Sequence, residues 1–290
     1  MELGQIVTAM VTPFNEDGSI NFEKTSKLID HLIKNGTDSV VVAGTTGESP
    51  TLTIDEKLAL FKHVVNYVDG RIPVVAGTGC NNTRASIELT KQAEEIGVDG
   101  VMLVVPYYNK PSQAGLYEHF KVIANETKLP VMLYNIPGRS ACNIEAETTI
   151  RLAQIENIVC IKEASGDLEQ MAKIIQSTPE TFKLYSGDDS MTLPTMSIGG
   201  AGIVTVSGHI VGNEMQEMIN YFKNGNLKKA SELHQSLLPF FKTMFIAPNP
   251  TALKAGLNII GVEVGGVRLP LIEASESEVN QVKTALENRK

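Results

Sequence analysis

The chain has 290 residues, 42% hydrophobic and 20% charged, a balance far from disordered composition and sufficient for a large core without disulfides or metals. Its 25 Lys and Arg against 33 Asp and Glu give a net charge of −8, which argues against nucleic-acid or anionic-membrane binding. No run approaches the ~18 apolar residues of a membrane span, the N-terminus lacks the basic-then-apolar order of a signal peptide, and three scattered cysteines (Cys80, Cys142, Cys160) fit a reducing, cytoplasmic setting.

Short β-branched runs occur in chain order at Ile6–Val11, Ser39–Ala43, Val74–Gly77, Val101–Val105, Val131–Tyr134, Val159–Lys162, Lys183–Ser186 and Ile203–Val206. Helical periodicity fills the intervals, as in Ile54–Val68 and Thr83–Ile96. Most of the runs are nearly all apolar, as expected of parallel strands covered on both faces. Eight such alternations predict a (β/α)8 TIM barrel rather than a doubly wound open sheet, and no GxGxxG follows any strand. Gly36 and Gly97 stand where helices should end in a left-handed residue. From about Asn213 the pattern is purely helical, with candidates at Glu214–Phe222, Leu227–Met244, Thr251–Ile260 and Ser275–Asn288. The expected division is a catalytic barrel over residues 1–224 and a C-terminal helical extension over 225–290.

Function in such a barrel gathers at the C-terminal ends of the strands. The second strand ends in Gly44-Thr45-Thr46-Gly47-Glu48, the fourth in Pro106-Tyr107-Tyr108, the fifth in Tyr134-Asn135-Ile136-Pro137-Gly138-Arg139, and the seventh in Ser186-Gly187-Asp188-Asp189. Lys162 lies inside the apolar sixth strand. Burial of an amine disfavours its charged form, and a neutral amine is what a Schiff-base nucleophile requires. The alternative is a lysine that snorkels or pairs with Glu163. Tyr134, on the neighbouring strand, offers a phenol for proton transfer. The hydroxyls and N–H groups of Thr45 and Thr46 suit a small carboxylate, or else simply form a tight turn. Arg139 can fork onto a carboxylate or remain a solvated rim residue. The histidines (His31, His63, His119, His209, His234) form no HxxxH, and Asp188-Asp189 alone is weak as a metal site. A metal-free site for small carboxylates is therefore expected.

Taken together, GTTGES at Gly44–Ser49, PYYNKP at Pro106–Pro111, YNIPGR at Tyr134–Arg139, IKEASGD at Ile161–Asp167, SGDD at Ser186–Asp189, PNPTALKAGLN at Pro248–Asn258 and GGVRLPL at Gly265–Leu271 resemble the dihydrodipicolinate synthase family over essentially the whole chain. The resemblance implies condensation of pyruvate with L-aspartate 4-semialdehyde to 4-hydroxy-tetrahydrodipicolinate, without a cofactor. It implies that Lys162 forms the pyruvate Schiff base, that Tyr134 shuttles protons, and that Thr45 links Tyr134 to a Tyr108 from a neighbouring subunit. Thr46 then holds the pyruvate carboxylate, Arg139 the semialdehyde carboxylate, and Gly187 and Val204 line the site through backbone carbonyls. A homo-oligomer is expected, a dimer-of-dimers tetramer before a simple dimer. Lysine-inhibited members carry two histidines and a glutamate at the positions of Ile54, Lys57 and Ala85, so feedback by lysine is expected to be weak or absent here.

Sibling aldolases, N-acetylneuraminate lyase and those acting on 2-keto-3-deoxy sugar acids, share the lysine and tyrosine but generally lack the Gly138-Arg139 and Tyr107-Tyr108 pairs. A non-catalytic binding barrel is the reading from a different class, and the combination of Lys162, Tyr134 and Thr45 argues against it.

Overall fold

The computed structural model describes residues 2–289. Eight parallel strands close into a barrel in chain order: β1 (Ile6–Ala9), β2 (Ser39–Val42), β3 (Val74–Gly77), β4 (Gly100–Val104), β5 (Val131–Asn135), β6 (Ile158–Glu163), β7 (Lys183–Ser186) and β8 (Gly202–Thr205). The helices are α1 (Phe22–Lys34), α2 (Ile54–Val68), α3 (Thr83–Ile96), α4 (Gln113–Asn125), α5 (Pro137–Ser140), α6 (Ala146–Leu152), α7 (Leu168–Ser177), α8 (Thr192–Ser197), α9 (Gly208–Lys223), α10 (Leu227–Thr243), α11 (Thr251–Ile259) and α12 (Glu276–Glu287). The predicted TIM barrel and its C-terminal helices are thus present. By internal contact the chain forms two compact units, one of Pro73–Val204 with Glu2, the other of Leu3–Ile72 with the residues from Thr205 onward.

In the first unit the apolar runs that read as parallel strands are buried along their length. Val101, Leu103, Val131, Met132, Leu133 and Ile161 are fully inaccessible, which follows from helices covering one face and the barrel interior the other. Side-chain caps place the helix starts. Asn82 accepts from the Ala85 N–H, Ser112 from Gly115 and Asp167 from Gln170, each satisfying a donor that the first helical turn leaves open.

In the second unit, Thr53 and Glu56 form a reciprocal capping box at the start of α2, and Ser275 and Glu278 do the same for α12. Gly36 takes a positive φ of +82°, as its helix-ending position requires, and Gly97 in the first unit does the same at +90°. The helix expected at Glu214–Phe222 is extended at its N-terminal end by a turn from Gly208, joined to it across a kink at Val211 (φ −116°, ψ 30°). Its glycine-bearing first turn has poor intrinsic helicity, and tertiary packing overrides that. A Cβ on Gly212 would lie 2.1 Å from the Asn35 carbonyl oxygen, so only glycine permits the approach of α9 to the end of α1. His209, fully buried in that turn, bonds through Nδ1 to the Val206 carbonyl (2.8 Å), and its Nε2 accepts from the Val11 N–H (3.1 Å). That arrangement needs the neutral ring, and burial pushes the imidazole down to about 4.

Candidate active site

Lys162 is held by strand pairing on both sides. Its backbone lies opposite Tyr134 on β5 and Tyr185 on β7, and partners in a parallel register present side chains to the same face. Lys162 is 5% exposed and Tyr134 3%, and the Lys162 Nζ sits 4.2 Å from the centre of the Tyr134 ring. An amine and a phenol are therefore held together away from water, the arrangement that imine chemistry needs. Glu163, the next residue along the strand, faces the other way. Its buried carboxylate accepts from Asn135 Nδ2 on both oxygens (3.1 and 3.0 Å), from the Ser165 N–H (2.8 Å) and from Gln170 Nε2 (3.1 Å). Burial raises the Glu163 carboxyl above its ordinary value, and the bonds from Asn135 and Ser165 act against that rise.

Gly187 follows β7, and its N–H donates to the Glu163 carbonyl at 2.7 Å. A Cβ there would lie 2.7 Å from the Ala164 Cβ, and 3.1 and 3.2 Å from the Cε and Cγ of Lys162. Glycine thus clears the path along which the lysine side chain extends. Val204, buried, lies one residue beyond Ile203, the partner of Ser186, so it continues the β7–β8 register alongside Gly187.

Arg139 is exposed and sits on the one-turn helix α5. Its loop is anchored at both ends. Asn135 accepts from the Ile144 N–H (3.0 Å) and donates to Asn143 Oδ1 (2.7 Å), and Ser140 Oγ lies 2.8 Å from the carbonyl oxygens of Ile136 and Cys142. Tyr107 is 39% exposed, and its carbonyl accepts from Asn81 Nδ2. Tyr108 is 90% exposed at φ +73°, a backbone region that residues with side chains enter at a cost. Cys160 is buried in β6, where desolvation pushes its thiol up to about 12, in keeping with core packing.

The turn that carries Thr45 and Thr46 belongs to the second unit. It runs from Ala43 to Glu48, both with positive φ (+52° and +57°). The Glu48 N–H closes onto the Thr45 carbonyl (3.1 Å), and Thr12 Oγ1 donates to the Gly47 carbonyl (2.7 Å). Thr45 is half-buried. Thr46 is buried, and its Oγ1 accepts from Asn249 Nδ2 at 2.9 Å.

Beneath this turn lies a buried ion pair that sequence reasoning missed, Glu48 Oε1 to Lys254 Nζ at 2.7 Å. Lys254 also donates to the Gly266 carbonyl (2.6 Å) and lies 4.2 Å from the centre of the Phe14 ring. The Arg268 N–H donates to Glu48 Oε2 (2.9 Å), while its guanidinium forks onto Glu56 and holds that carboxyl down at about 2. A signal for Lys254 existed, since it is the one charge in the apolar helix TALKAGLNI.

The profile of the Dihydrodipicolinate synthetase family matches residues 2–289. The chain is 60% identical over 286 residues to 4-hydroxy-tetrahydrodipicolinate synthase 1 of Halalkalibacterium halodurans, covering 99% of this chain and 97% of that one. It resembles the crystal structure of a dihydrodipicolinate synthase from Bacillus anthracis (TM-score 0.98, 56% identity, 99% and 98% of the two chains). It also resembles the synthase of Cyanidioschyzon merolae crystallised with lysine bound (TM-score 0.97, 46% identity, 99% and 98%).

Proposed function

This chain belongs to the Dihydrodipicolinate synthetase family, and from that premise we propose how its residues condense pyruvate with L-aspartate 4-semialdehyde. The observation that carries the reading is the buried Lys162 amine beside the Tyr134 phenol. The amine adds to the pyruvate keto carbon, and the resulting carbinolamine loses water to give an imine. Tyr134 moves protons during addition, dehydration and formation of the enamine. The enamine carbon attacks the aldehyde carbon of the second substrate. The amine of that substrate then displaces Lys162 at the imine carbon, closing the ring of 4-hydroxy-tetrahydrodipicolinate and freeing the lysine.

Thr46 binds the pyruvate carboxylate, Arg139 the carboxylate of the semialdehyde, and the Gly187 and Val204 backbones line the site. Thr45 relays protons between Tyr134 and Tyr108 of the partner subunit. The exposure of Tyr108 in a single chain supports this reading, because a large aromatic in a disfavoured backbone region has no evident use alone. A dimer suffices for that relay, and a tetramer built as a dimer of dimers is the assembly we infer. The catalytic barrel is taken as residues 1–224 and the extension as 225–290. The chemistry calls for no cofactor, and the setting is cytoplasmic; among the described residues no helix is long and apolar enough to cross a membrane.

Trapping tests the reaction. Borohydride added with pyruvate should reduce the imine to a stable adduct on Lys162, detected by peptide mass spectrometry. Absence of any adduct on Lys162 sinks the mechanism.

Regulation is expected to differ from lysine-inhibited relatives. Ile54 and Lys57 stand on α2, and Ala85 in the first turn of α3, where those relatives have two histidines and a glutamate. An ammonium ligand loses its anion and meets a cation at Lys57. Initial rates should therefore change little with sub-millimolar lysine, and strong inhibition there would overturn the reading.

A further inference from the structure

We propose that Asn249 is a positioning residue that orients the Thr46 hydroxyl and so sets the capture of the pyruvate carboxylate; the inference rests on the reading of Thr46 above. A threonine hydroxyl has one proton and two lone pairs. Asn249 Nδ2 donates to Thr46 Oγ1 at 2.9 Å, with Thr46 2% and Asn249 7% exposed. The oxygen is thus engaged as an acceptor, and its only proton is left to donate. A carboxylate can only accept, so a hydroxyl held in this state is matched to it in advance. Without the amide, the hydroxyl loses the bond that holds its proton toward a carboxylate, and the rotor is free to turn away.

Two further observations support the assignment. Asn249 Oδ1 is buried with no hydrogen-bond partner among the described residues, which is costly for a side chain that only fills space. Asn249 is also flanked by Pro248 and Pro250, and the Thr251 N–H bonds back to the Pro248 carbonyl at 2.9 Å. Proline restricts its own φ and the backbone of the residue before it, so the amide is presented from a stiff segment. The pairing reaches from the start of α11 to the β2 turn, and no local motif at Thr46 announces it.

The test is a double-mutant cycle on the full chain with T46V, N249A and the double variant, read as the KM for each substrate and as kcat. N249A should raise the pyruvate KM about three- to tenfold, the range for loss of one oriented hydrogen bond. It should leave kcat within about twofold and the semialdehyde KM unchanged, a split that a general loosening of the fold does not produce. On the T46V background N249A should add nothing. N249D, nearly isosteric, should be worse than N249A, because its carboxylate takes the Thr46 proton; it also carries the test should N249A fail to fold. If T46V leaves the pyruvate KM unchanged, the role given to Thr46 fails. If T46V raises it while the Asn249 variants do not, or if the two effects add, the Asn249 inference is overturned and the Thr46 reading stands.

Discussion

Lys162→Ala should lower kcat by roughly 10³-fold or more and abolish the borohydride adduct, while the protein remains folded. The size follows from the route. Removal of the amine deletes the covalent intermediate, and groups that act as a unit with a nucleophile do not compensate for its loss. A thousandfold loss corresponds to about 4 kcal/mol of barrier. Retention of the fold follows from the surroundings. The Lys162 amine contacts the face of Tyr134, while the polar network of β6 belongs to Glu163, whose carboxylate binds Asn135, Ser165 and Gln170 on the opposite face. Truncation at Lys162 leaves that network untouched. The checks are circular dichroism for the fold, a coupled steady-state assay for turnover, and mass spectrometry after reduction with pyruvate. Activity within tenfold of the parent would show that another group is the nucleophile.

The barrel was legible because each strand is an apolar run bounded by helical periodicity, and parallel strands covered on both faces leave that signature. Lys162 stood out for the same reason, a charge where the pattern demands an apolar residue. Lys254 broke its helix pattern in the same way and was passed over, because a lone lysine on a helix usually lies on a solvated face. Its partner Glu48 is remote in sequence, and only the tertiary fold brings the two together. The same distance hid the contact of Asn249 with Thr46. The turn that precedes the expected start of α9 was hidden differently, since its seat against Asn35 depends on the bare backbone of Gly212 and not on local propensity. Local pattern therefore reports strands, caps and isolated charges, while the supports beneath the site are long-range pairings that no window of sequence contains.

Those supports lead to the other large expected effect, on stability. Lys254→Met should destabilise the protein by about 3–5 kcal/mol, the usual cost of removing one partner from a buried ion pair. Glu48 and Lys254 are 1% and 2% exposed at their side chains, so water cannot take over from the lost ammonium. Burial pushes the Lys254 amine down to about 8, and the neighbouring Glu48 acts against that fall. Without Lys254, Glu48 keeps, among the described residues, the Arg268 N–H on its other oxygen and loses its buried counter-charge. Adding Glu48→Gln to Lys254→Met should recover part of the loss, because the uncompensated charge disappears while an oxygen remains to accept from Arg268. Denaturant unfolding of the parent, the single variant and the pair measures this directly, and a shift of the thermal midpoint by roughly 10 °C is expected for a loss of this size. The ion pair also lies under the turn that carries Thr45 and Thr46, so the single variant should bind pyruvate more weakly even where it is folded. If Lys254→Met proved as stable as the parent, or if Glu48→Gln only deepened its loss, the pair would be an incidental contact and not the support of that turn.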